Sequence, residues 1–515
     1  MSTAIPSGAA GPLRRDILTT LLPGFTGPVA PDWLLGLLGE GLGGVCLFST
    51  NVVSHEQLGA LSRSLRAANR LAVVAIDEEG GDVTRLFSDR GAPYPGNAVL
   101  GRLDDLDLTR AVARAVGEAL AAVGCTMTFA PDADVNSNSA NPVIGVRSFG
   151  ATPELVARHT AAWVEGVQST GIDASAKHFP GHGDTATDSH LALPVVDLPV
   201  ERLRACELEP FRAAIVAGAR TIMTSHILLP QLDATRPATL SPRILQGLLR
   251  EELGFDGVIV SDALDMAGAS GVHGIPEAAV RALAAGCDLL CIGTDNSDAQ
   301  LREIVSALEG AVASGRLPRE RVADAAARVR GLADVHALPG PVHSDAARAA
   351  LPADLCARVA SSFHVAPAAL ERLLAAGRIG TVVRVDTIPN MAIGPVPWGP
   401  FALVAAPDPM HPAPGWLLGA TVVPLDAATP LDDPAGLEGP VLVVGKDLHR
   451  HPFAVDAIAR LRSARTDVVT ADLGWPSDDL EFADIATFGA SRVVAEAFVQ
   501  LVDGVLGGEP MRAVS

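Results

Sequence analysis

The stretch ASAKHFPGHGDTATDSH, residues 174–190, joins a short run suited to a buried strand to a polar loop rich in histidine and aspartate. Residues 174–178 form the candidate strand, and Pro180 with the glycines around it predicts a loop rather than a helix. In a barrel of parallel strands, polar groups just past a strand's C-terminal end face the active-site mouth. The stretch therefore predicts a strand whose C-terminal end carries chemistry.

The same pattern repeats about eight times across residues 12–335, where apolar runs of strand length alternate with amphipathic segments of helical length. The candidate strands are residues 19–24, 44–49, 72–76, 126–130, 174–178, 221–224, 257–261 and 288–292. A repeated strand–helix unit predicts a parallel sheet with crossover helices. Eight such units in this length favour a (β/α)8 barrel with a few long loops.

A second, smaller α/β pattern follows the first. Residues 337–346, rich in proline and glycine, predict a linker. Beyond them lie apolar runs at residues 381–385, 401–405, 441–444, 468–470 and 485–488, with helical patterns at 368–376 and 453–463. We therefore predict an α/β protein in which a TIM-like barrel, residues 1–336, precedes a layered, αβα sandwich-like domain, residues 347–515.

Charge and cysteine content exclude several classes of protein. The formal net charge is −20, whereas nucleic-acid binders need a basic surface, so neither nucleic acid nor an anionic membrane is a predicted partner. The six cysteines are scattered without paired zinc spacing, which predicts buried free thiols, no metal and no cofactor. The N-terminus lacks the apolar core of a signal peptide and no run of about 20 apolar residues occurs, which predicts a cytoplasmic protein.

Two acidic positions and one histidine suggest catalysis. Asp188 and His190 point the same way if the local chain is extended, and a carboxylate beside a histidine fixes its tautomer and favours its protonated form. Asp262 ends the seventh candidate strand, where a carboxylate can attack an anomeric carbon. The pattern predicts Asp188–His190 as a general acid/base pair and Asp262 as a nucleophile.

Further polar groups stand at or after the ends of the third, fourth and fifth candidate strands. Asp77 ends the third candidate strand, Arg147 lies in the loop after the fourth, and Lys177 ends the fifth. Barrel strand ends converge on one face, and sugar hydroxyls need charged hydrogen-bond partners to replace water. The expected convergence of these polar groups on one face favours a carbohydrate site over the alternative that each residue only caps a turn. The adjacent Ser225 and His226 would point oppositely on a strand, so a structural role or a secondary contact is favoured over a nucleophilic pair.

The chain resembles family 3 glycoside hydrolases, specifically their β-N-acetylglucosaminidase branch. Residues 177–190 are similar to that branch's signature K-H-F-P-G-H-G-D-T-x-x-D-S-H, and the resemblance covers about residues 15–335. It implies a retaining double displacement in which Asp262 attacks C1 while His190, paired with Asp188, protonates the leaving oxygen and later activates water. It also implies sugar contacts by Asp77, Arg85, Arg147, Lys177 and His178.

The resemblance further implies a substrate. The expected reaction removes a terminal, non-reducing β-linked N-acetylglucosamine from a small soluble saccharide or muropeptide, as in peptidoglycan recycling. Two positions depart from the family pattern, since many relatives carry Gln and Arg where this chain has Glu78 and Asp82. The C-terminal domain also lacks the acidic loop that supplies the acid/base glutamate in the family's β-glucosidases, which fits a histidine in that role.

Several alternatives stay open. A histidine acid lowers the negative charge beside the leaving group and could admit phosphate, so a β-N-acetylglucosamine phosphorylase is the second candidate enzyme. A β-glucosidase of the same family is the third, and a non-catalytic sugar-binding module is a candidate from another class. His178 and His182 could ligate a metal, but a strand end followed by Pro-Gly does not hold residues at i and i+4 on one helical face.

Overall fold

The computed structural model describes residues 11–185, 193–271, 273–332, 351–389, 391–407 and 412–508. Within them the chain builds a barrel of parallel strands and a separate six-stranded sheet, both covered by helices. The predicted linker, residues 337–346, lies outside the described residues, so the predicted domain boundaries stay a prediction. None of the helices within the described ranges is both long enough and apolar enough to cross a membrane.

Eight parallel strands, arranged in sequence order, form the barrel. They are β1 (Leu21–Pro23), β2 (Gly44–Leu47), β3 (Val73–Ile76), β4 (Met127–Thr128), β5 (Asp173–Phe179), β6 (Thr221–Thr224), β7 (Val258–Val260) and β8 (Leu290–Gly293). Strands β2 to β7 pair consecutively, and β8 pairs with β1. A parallel bridge between Val260 and Leu289 joins β7 to β8, and β1 lies against β2. The predicted TIM-like barrel is confirmed, and every predicted strand overlaps an observed one.

Amphipathic helices surround the barrel. His55–Ala68 shows why they form: Ser54 Oγ accepts a hydrogen bond from Gln57 N at 3.1 Å and caps the first turn. Its leucines then bury one face of the helix in the large apolar core. The helices are Pro12–Thr19, Asp32–Glu40, His55–Ala68, Asn97–Leu103, Leu106–Ala122, Pro153–Gln168, Val200–Ala205, Glu209–Val216, Arg243–Glu252, Ala267–Ser270, Ile275–Ala285, Asp298–Ala313 and Arg319–Leu332.

Both faces of the barrel strands are buried. On β3, Val73 and Ala75 point into the barrel, where they join a compact apolar cluster with Met127, Phe129 and others. Val74 lies on the opposite face and belongs to the larger core between strands and helices. The interior is thus a packed core that closes the barrel beneath the strand ends.

The second sheet confirms the predicted layered α/β domain. Its strands are β9 (His364–Val365), β10 (Thr381–Val385), β11 (Thr421–Leu425), β12 (Val441–Gly445), β13 (Val468–Asp472) and β14 (Ile485–Ala486), in the order β11-β10-β12-β13-β14-β9 with β9 antiparallel. Its helices are Leu355–Ser361, Pro367–Ala376, Gly399–Ala405, Gly415–Leu418, Pro452–Ala464 and Arg492–Leu506. The apolar run at residues 401–405 is therefore helical, and the prediction did not include β11.

The loop after β3, residues 77–96 (the β3 loop), connects the two sheets' domains. Asp82 Oδ1 accepts a hydrogen bond from Ala490 N at 2.8 Å, and Ser491 Oγ donates to Tyr94 O at 2.9 Å. Arg492 N donates to Ala92 O at 3.1 Å. The β3 loop, which begins with the predicted sugar contact Asp77, therefore also binds the second domain.

Candidate active site

A cavity of about 550 Å³ lies at the C-terminal ends of the barrel strands. It is lined by every predicted site residue that the structure describes: Asp77, Arg85, Arg147, Lys177, His178 and Asp262. Asp188 and His190 lie outside the described residues. Six side chains from segments far apart in the sequence thus meet in one place.

Glu79, which the sequence analysis did not single out, connects two of the cations. Its Oε1 lies 2.7 Å from Lys177 Nζ and 2.8 Å from Arg147 Nη2, and its Oε2 accepts from Arg147 Nε at 3.0 Å. Burial would raise the pKa of Glu79, but the charges of Arg147 and Lys177 hold it well below its usual value. The carboxylate therefore stays ionised and fixes both cations in the cavity wall.

Asp77 is the second acceptor of the same network. Its Oδ1 accepts from Lys177 Nζ at 2.8 Å, and its Oδ2 lies 3.8 Å from Arg85 Nη2. Burial would raise the pKa of Asp77, but the charges of Lys177 and Arg85 lower it. The side chain keeps 20% of its surface exposed, so an ionised carboxylate remains available to accept hydroxyl protons from a ligand.

An irregularity in β5 brings two consecutive residues to the cavity. The register between β5 and β6 shifts between Ala176 and Phe179, so Lys177 and His178 both line the cavity instead of alternating. His178 Nδ1 lies 2.7 Å from Asp134 Oδ2, and His178 Nε2 lies 3.4 Å from Arg147 Nη2. These partners assign the proton to Nδ1 and leave Nε2 as the acceptor.

Three of these groups could in principle hold a metal ion. Ligand atoms of Asp132, Asp134 and His178 lie within 4.8 Å of one another. However, Arg147 Nη2 already approaches Asp132 Oδ2 at 3.4 Å as well as the His178 ring, so a metal would have to displace a guanidinium. The donors fit a charge-compensated cluster better, and the absence of a metal stays a prediction.

Asp134 also anchors the loop that leads to the predicted acid/base pair. Its Oδ1 accepts from His182 N at 2.6 Å, and Asn141 Nδ2 donates to His182 O and Gly183 O at 2.9 Å. A Cβ on Gly183 would collide with the backbone of Val135, so only glycine allows this approach. Burial lowers the pKa of His182 to about 4, which leaves this ring neutral. The loop is held in place to within a few residues of Asp188.

Asp262 follows β7 on a segment that is fixed on both sides. Ser261 Oγ accepts from Cys291 N at 3.0 Å, which ties the end of β7 to β8, and Asp262 Oδ1 accepts from Ala263 N at 2.7 Å. His226 Nε2 contacts Ala263 O at 2.9 Å, while Ser225 Oγ donates to Phe179 O at 3.0 Å. Ser225 and His226 therefore act on separate backbone positions, in keeping with a structural role.

The second domain supplies part of the cavity lining. Met391 and Ala392, from the segment after β10, lie at the cavity together with the barrel residues. Arg85 Nη2 donates to Ala392 O at 2.6 Å and its Nη1 donates to Ile393 O at 3.1 Å. Arg85 thus lines the cavity and also holds this segment of the second domain.

The two positions that depart from the family pattern lie outside the lining of the cavity. Glu78 is fully buried, and its Oε2 accepts from Arg85 N and Leu86 N, both at 2.9 Å. Burial raises the pKa of Glu78 to about 7. Asp82 binds Ala490 of the second domain. Their charges therefore act on the conformation of the β3 loop and on domain docking.

We expect Glu78→Gln to make the protein more stable at pH 8 and to flatten the pH dependence of its stability. The folded pKa of about 7 lies above the ordinary 4.5, so the protonated group's contribution is complete below pH 4.5 and is lost as pH rises through 7. The glutamine side chain can accept the same two backbone hydrogen bonds, but it cannot ionise. In urea unfolding, the stability of the wild type relative to Glu78→Gln should fall by roughly 2.5 kcal/mol between pH 5 and pH 8. An equal difference between the two proteins at both pH values would contradict the assignment.

Comparison with known proteins agrees with this geometry. Residues 36–332 match the profile of the glycosyl hydrolase family 3 N terminal domain. The chain is 36% identical over 317 residues to β-hexosaminidase A of Pseudoalteromonas piscicida, covering 56% of this chain and 53%, about half, of that protein. It is 40% identical over 274 residues to a β-hexosaminidase of Methylococcus capsulatus, covering 53% of this chain and 81% of that protein. A glycoside hydrolase family 3 β-N-acetylglucosaminidase from Paenibacillus sp. str. FPU-7 superimposes with a TM-score of 0.83 at 31% identity, covering 97% of each chain.

Proposed function

The chain belongs to glycosyl hydrolase family 3, and on that basis we propose that it removes terminal, non-reducing β-linked N-acetylglucosamine by hydrolysis. The observation that carries the proposal is the single cavity that brings Asp262 together with Asp77, Arg147, Lys177 and His178. The sugar is supported by relatives named β-hexosaminidase and β-N-acetylglucosaminidase.

The proposed reaction is a retaining double displacement. The Asp262 carboxylate attacks C1 of the sugar while protonated His190 gives its proton to the glycosidic oxygen, so the bond from C1 to that oxygen breaks as the bond to Asp262 forms. The aglycone leaves as a neutral alcohol. Neutral His190 then takes a proton from water, whose oxygen attacks C1 and releases Asp262 as a carboxylate. Asp188 keeps the imidazole oriented and favours its charged form.

The described contacts support sugar binding by four charged side chains that hold one another in place. We call this group the polar wall; its members are Asp77, Glu79, Arg147 and Lys177. Lys177 is held by Asp77 and Glu79, and Arg147 by both oxygens of Glu79, at 2.7 to 3.0 Å. Side chains that are already fixed lose little conformational freedom when a ligand replaces water. We assign the ring hydroxyls and the acetamido group to this wall, with Asp77 as acceptor and the cations as donors.

The lining also favours a small substrate. The aromatic side chains of Phe48 and Phe129 line the cavity, but no tryptophan or tyrosine does so within the described ranges. Tyr94, the protein's single tyrosine, is fully buried. A platform for stacking a long polysaccharide is therefore missing from the described lining. We extend the proposal to small soluble muropeptides, as cytoplasmic recycling of peptidoglycan would provide.

The test is turnover of p-nitrophenyl β-N-acetylglucosaminide and of the matched p-nitrophenyl β-glucoside, each with and without phosphate. We expect the first substrate to be cleaved at least about 100-fold more efficiently, because buried groups that bind the acetamido substituent would be left unpaired by glucose. Free N-acetylglucosamine should be the product in both buffers. Faster cleavage of the glucoside, or N-acetylglucosamine 1-phosphate as the main product, would replace the proposal with a β-glucosidase or a phosphorylase. Binding of N-acetylglucosamine without cleavage would indicate a sugar-binding module.

A further inference from the structure

The floor of the candidate active site is rich in sulfur. Each even-numbered barrel strand, or the residue just after it, contributes one side chain there: Cys46 from β2, Phe129 after β4, Met223 from β6 and Cys291 from β8. Barrel interiors are filled by layers of four side chains from alternate strands, and these four belong to one apolar cluster inside the barrel. They therefore form the layer that faces the cavity, and three of the four carry sulfur.

The two thiol groups of this layer interact directly. Cys46 and Cys291 are hydrogen-bonding partners, and each residue is at most 3% exposed. Neither cysteine takes part in a disulfide. Burial, and then the contact with Cys291, raise the pKa of the Cys46 thiol, so Cys46 is neutral in the free protein at pH 7. The floor of the cavity thus holds a pair of adjacent thiols that face an open space.

The spacing of the strands excludes a disulfide between these two cysteines. Strand β1 lies between β2 and β8, because it pairs with β8 and contacts β2. Two strand spacings place the Cα atoms of Cys46 and Cys291 roughly 9 Å apart, whereas a disulfide requires less than about 7 Å. A metal ion placed between two sulfur atoms adds a bond of about 2.3 Å to each of them. The pair therefore suits a bridging ion better than a direct bond between the sulfurs.

The donor atoms select the class of ion. Thiolate and thioether sulfur prefer soft cations, and Met223 adds a third sulfur to the layer. Across the described ranges, the only group of three or more acidic, histidine or cysteine side chains placed to hold a metal is Asp132, Asp134 and His178. The thiol pair therefore lacks the four donors that zinc takes in structural sites. A soft ion that forms two bonds fits the pair better.

We propose that Cys46 and Cys291 bind a soft, thiophilic cation, such as Hg²⁺, between two thiolates at the floor of the candidate active site. Binding forms two metal–sulfur bonds and releases two protons to solvent, one from each thiol, and no electron is transferred. The ion would occupy the cavity that Asp77 and Arg85 also line. A sugar that enters this cavity would meet the ion, so the cation acts as an inhibitor of the proposed hydrolysis and not as a cofactor.

Titration with HgCl2, followed by gel filtration in 2-mercaptoethanol, measures binding without turnover. The protein variants are Cys46→Ala and Cys291→Ala. The matched control is Cys206→Ala/Cys356→Ala, which removes the two more exposed thiols and keeps the pair. We expect one mercury ion per chain in the wild type and in the control. Either single variant should retain less than about a tenth as much, because the second bond to a bridged ion is intramolecular and strengthens retention about 100-fold or more.

Circular dichroism establishes that each variant is folded, and Cys46→Ser or Cys291→Ser replaces an alanine variant that does not fold. Equal retention of mercury by the wild type and both single variants, or loss of retention in the Cys206→Ala/Cys356→Ala control, would overturn the site.

Hydrolysis of p-nitrophenyl β-N-acetylglucosaminide gives the second readout. One equivalent of Hg²⁺ in 2-mercaptoethanol should remove most of the activity of the wild type and of the control. Dithiothreitol, which offers two thiols to one ion, should restore it. Mercury bound at the pair without loss of activity would overturn its role as an inhibitor. A wild type that retains mercury but cleaves no substrate even before mercury is added would refute the proposed function and leave the cation site supported.

Discussion

Replacing Asp262 with asparagine should lower kcat for p-nitrophenyl β-N-acetylglucosaminide by about 10⁴-fold or more. An amide is isosteric with the carboxylate but cannot form the covalent intermediate, and the aryl leaving group needs little help from an acid. The effect should therefore fall on kcat, with the thermal midpoint nearly unchanged. Asp262→Ala should regain turnover in sodium azide and yield the α-glycosyl azide, since azide enters on the face that the nucleophile vacates.

Asp265→Asn is the control for this prediction. Asp265 lies three residues further along the same segment and lines the same cavity, but its Oδ2 accepts from Thr294 N at 3.2 Å. A residue with this structural contact should change kcat less than about tenfold. If Asp265→Asn were as damaging as Asp262→Asn, or if azide gave the β-glycosyl azide with the Asp262 variant, the nucleophile would have to be reassigned.

Replacing Glu79 with alanine should lower the free energy of unfolding by about 3–5 kcal/mol. The variant leaves Arg147 and Lys177, whose side chains are at most 4% exposed, without the carboxylate that both contact. Lys177 keeps Asp77 and Arg147 keeps Asp132, but the loss of Glu79 leaves two buried positive charges undercompensated, which costs far more than the pair contributes. Urea unfolding at pH 7 measures the change, and activity should fall with it because both cations line the cavity.

An exposed ion pair of similar length supplies the comparison for Glu79. Glu165 Oε2 lies 2.7 Å from Arg110 Nε, but both side chains are more than 40% exposed. Glu165→Ala should cost less than about 1 kcal/mol, because water and salt screen surface pairs. Similar losses in the two variants would mean that the Glu79 network does not stabilise the fold.

The barrel could be predicted from the sequence because most of its strands are apolar runs buried on both faces. The second sheet was harder for two reasons. Strand β11 lies at the edge of the sheet, contains Pro424 and exposes Thr421 and Val422, so it lacks the composition of a central strand. The apolar run at residues 401–405 packs as a helix against Arg492–Leu506, and so short a run has no periodicity that separates helix from strand.

The candidate site was predictable where a polar residue ends a strand, and less so where the partner is distant in sequence. Asp77, Lys177 and Asp262 were found by position alone, and they line the cavity. Glu79 was missed because its partner Arg147 is 68 residues away. Asp134 lies 44 residues from His178, but it follows β4 closely, so the same strand-end argument applied to β4 would have pointed to it.

The β3 loop couples the binding of substrate to the contact between the two domains. It carries Asp77 and Arg85, and it also binds Ala392, Ala490 and other parts of the second domain. A substrate that touches both Asp77 and Met391 would bridge the two halves of the molecule. Reciprocity then requires that docking of the domains strengthens retention of the sugar by the same free energy with which the sugar strengthens docking. The two equilibria share this coupling free energy, so a change that strengthens the coupling raises substrate affinity and domain cohesion by the same amount.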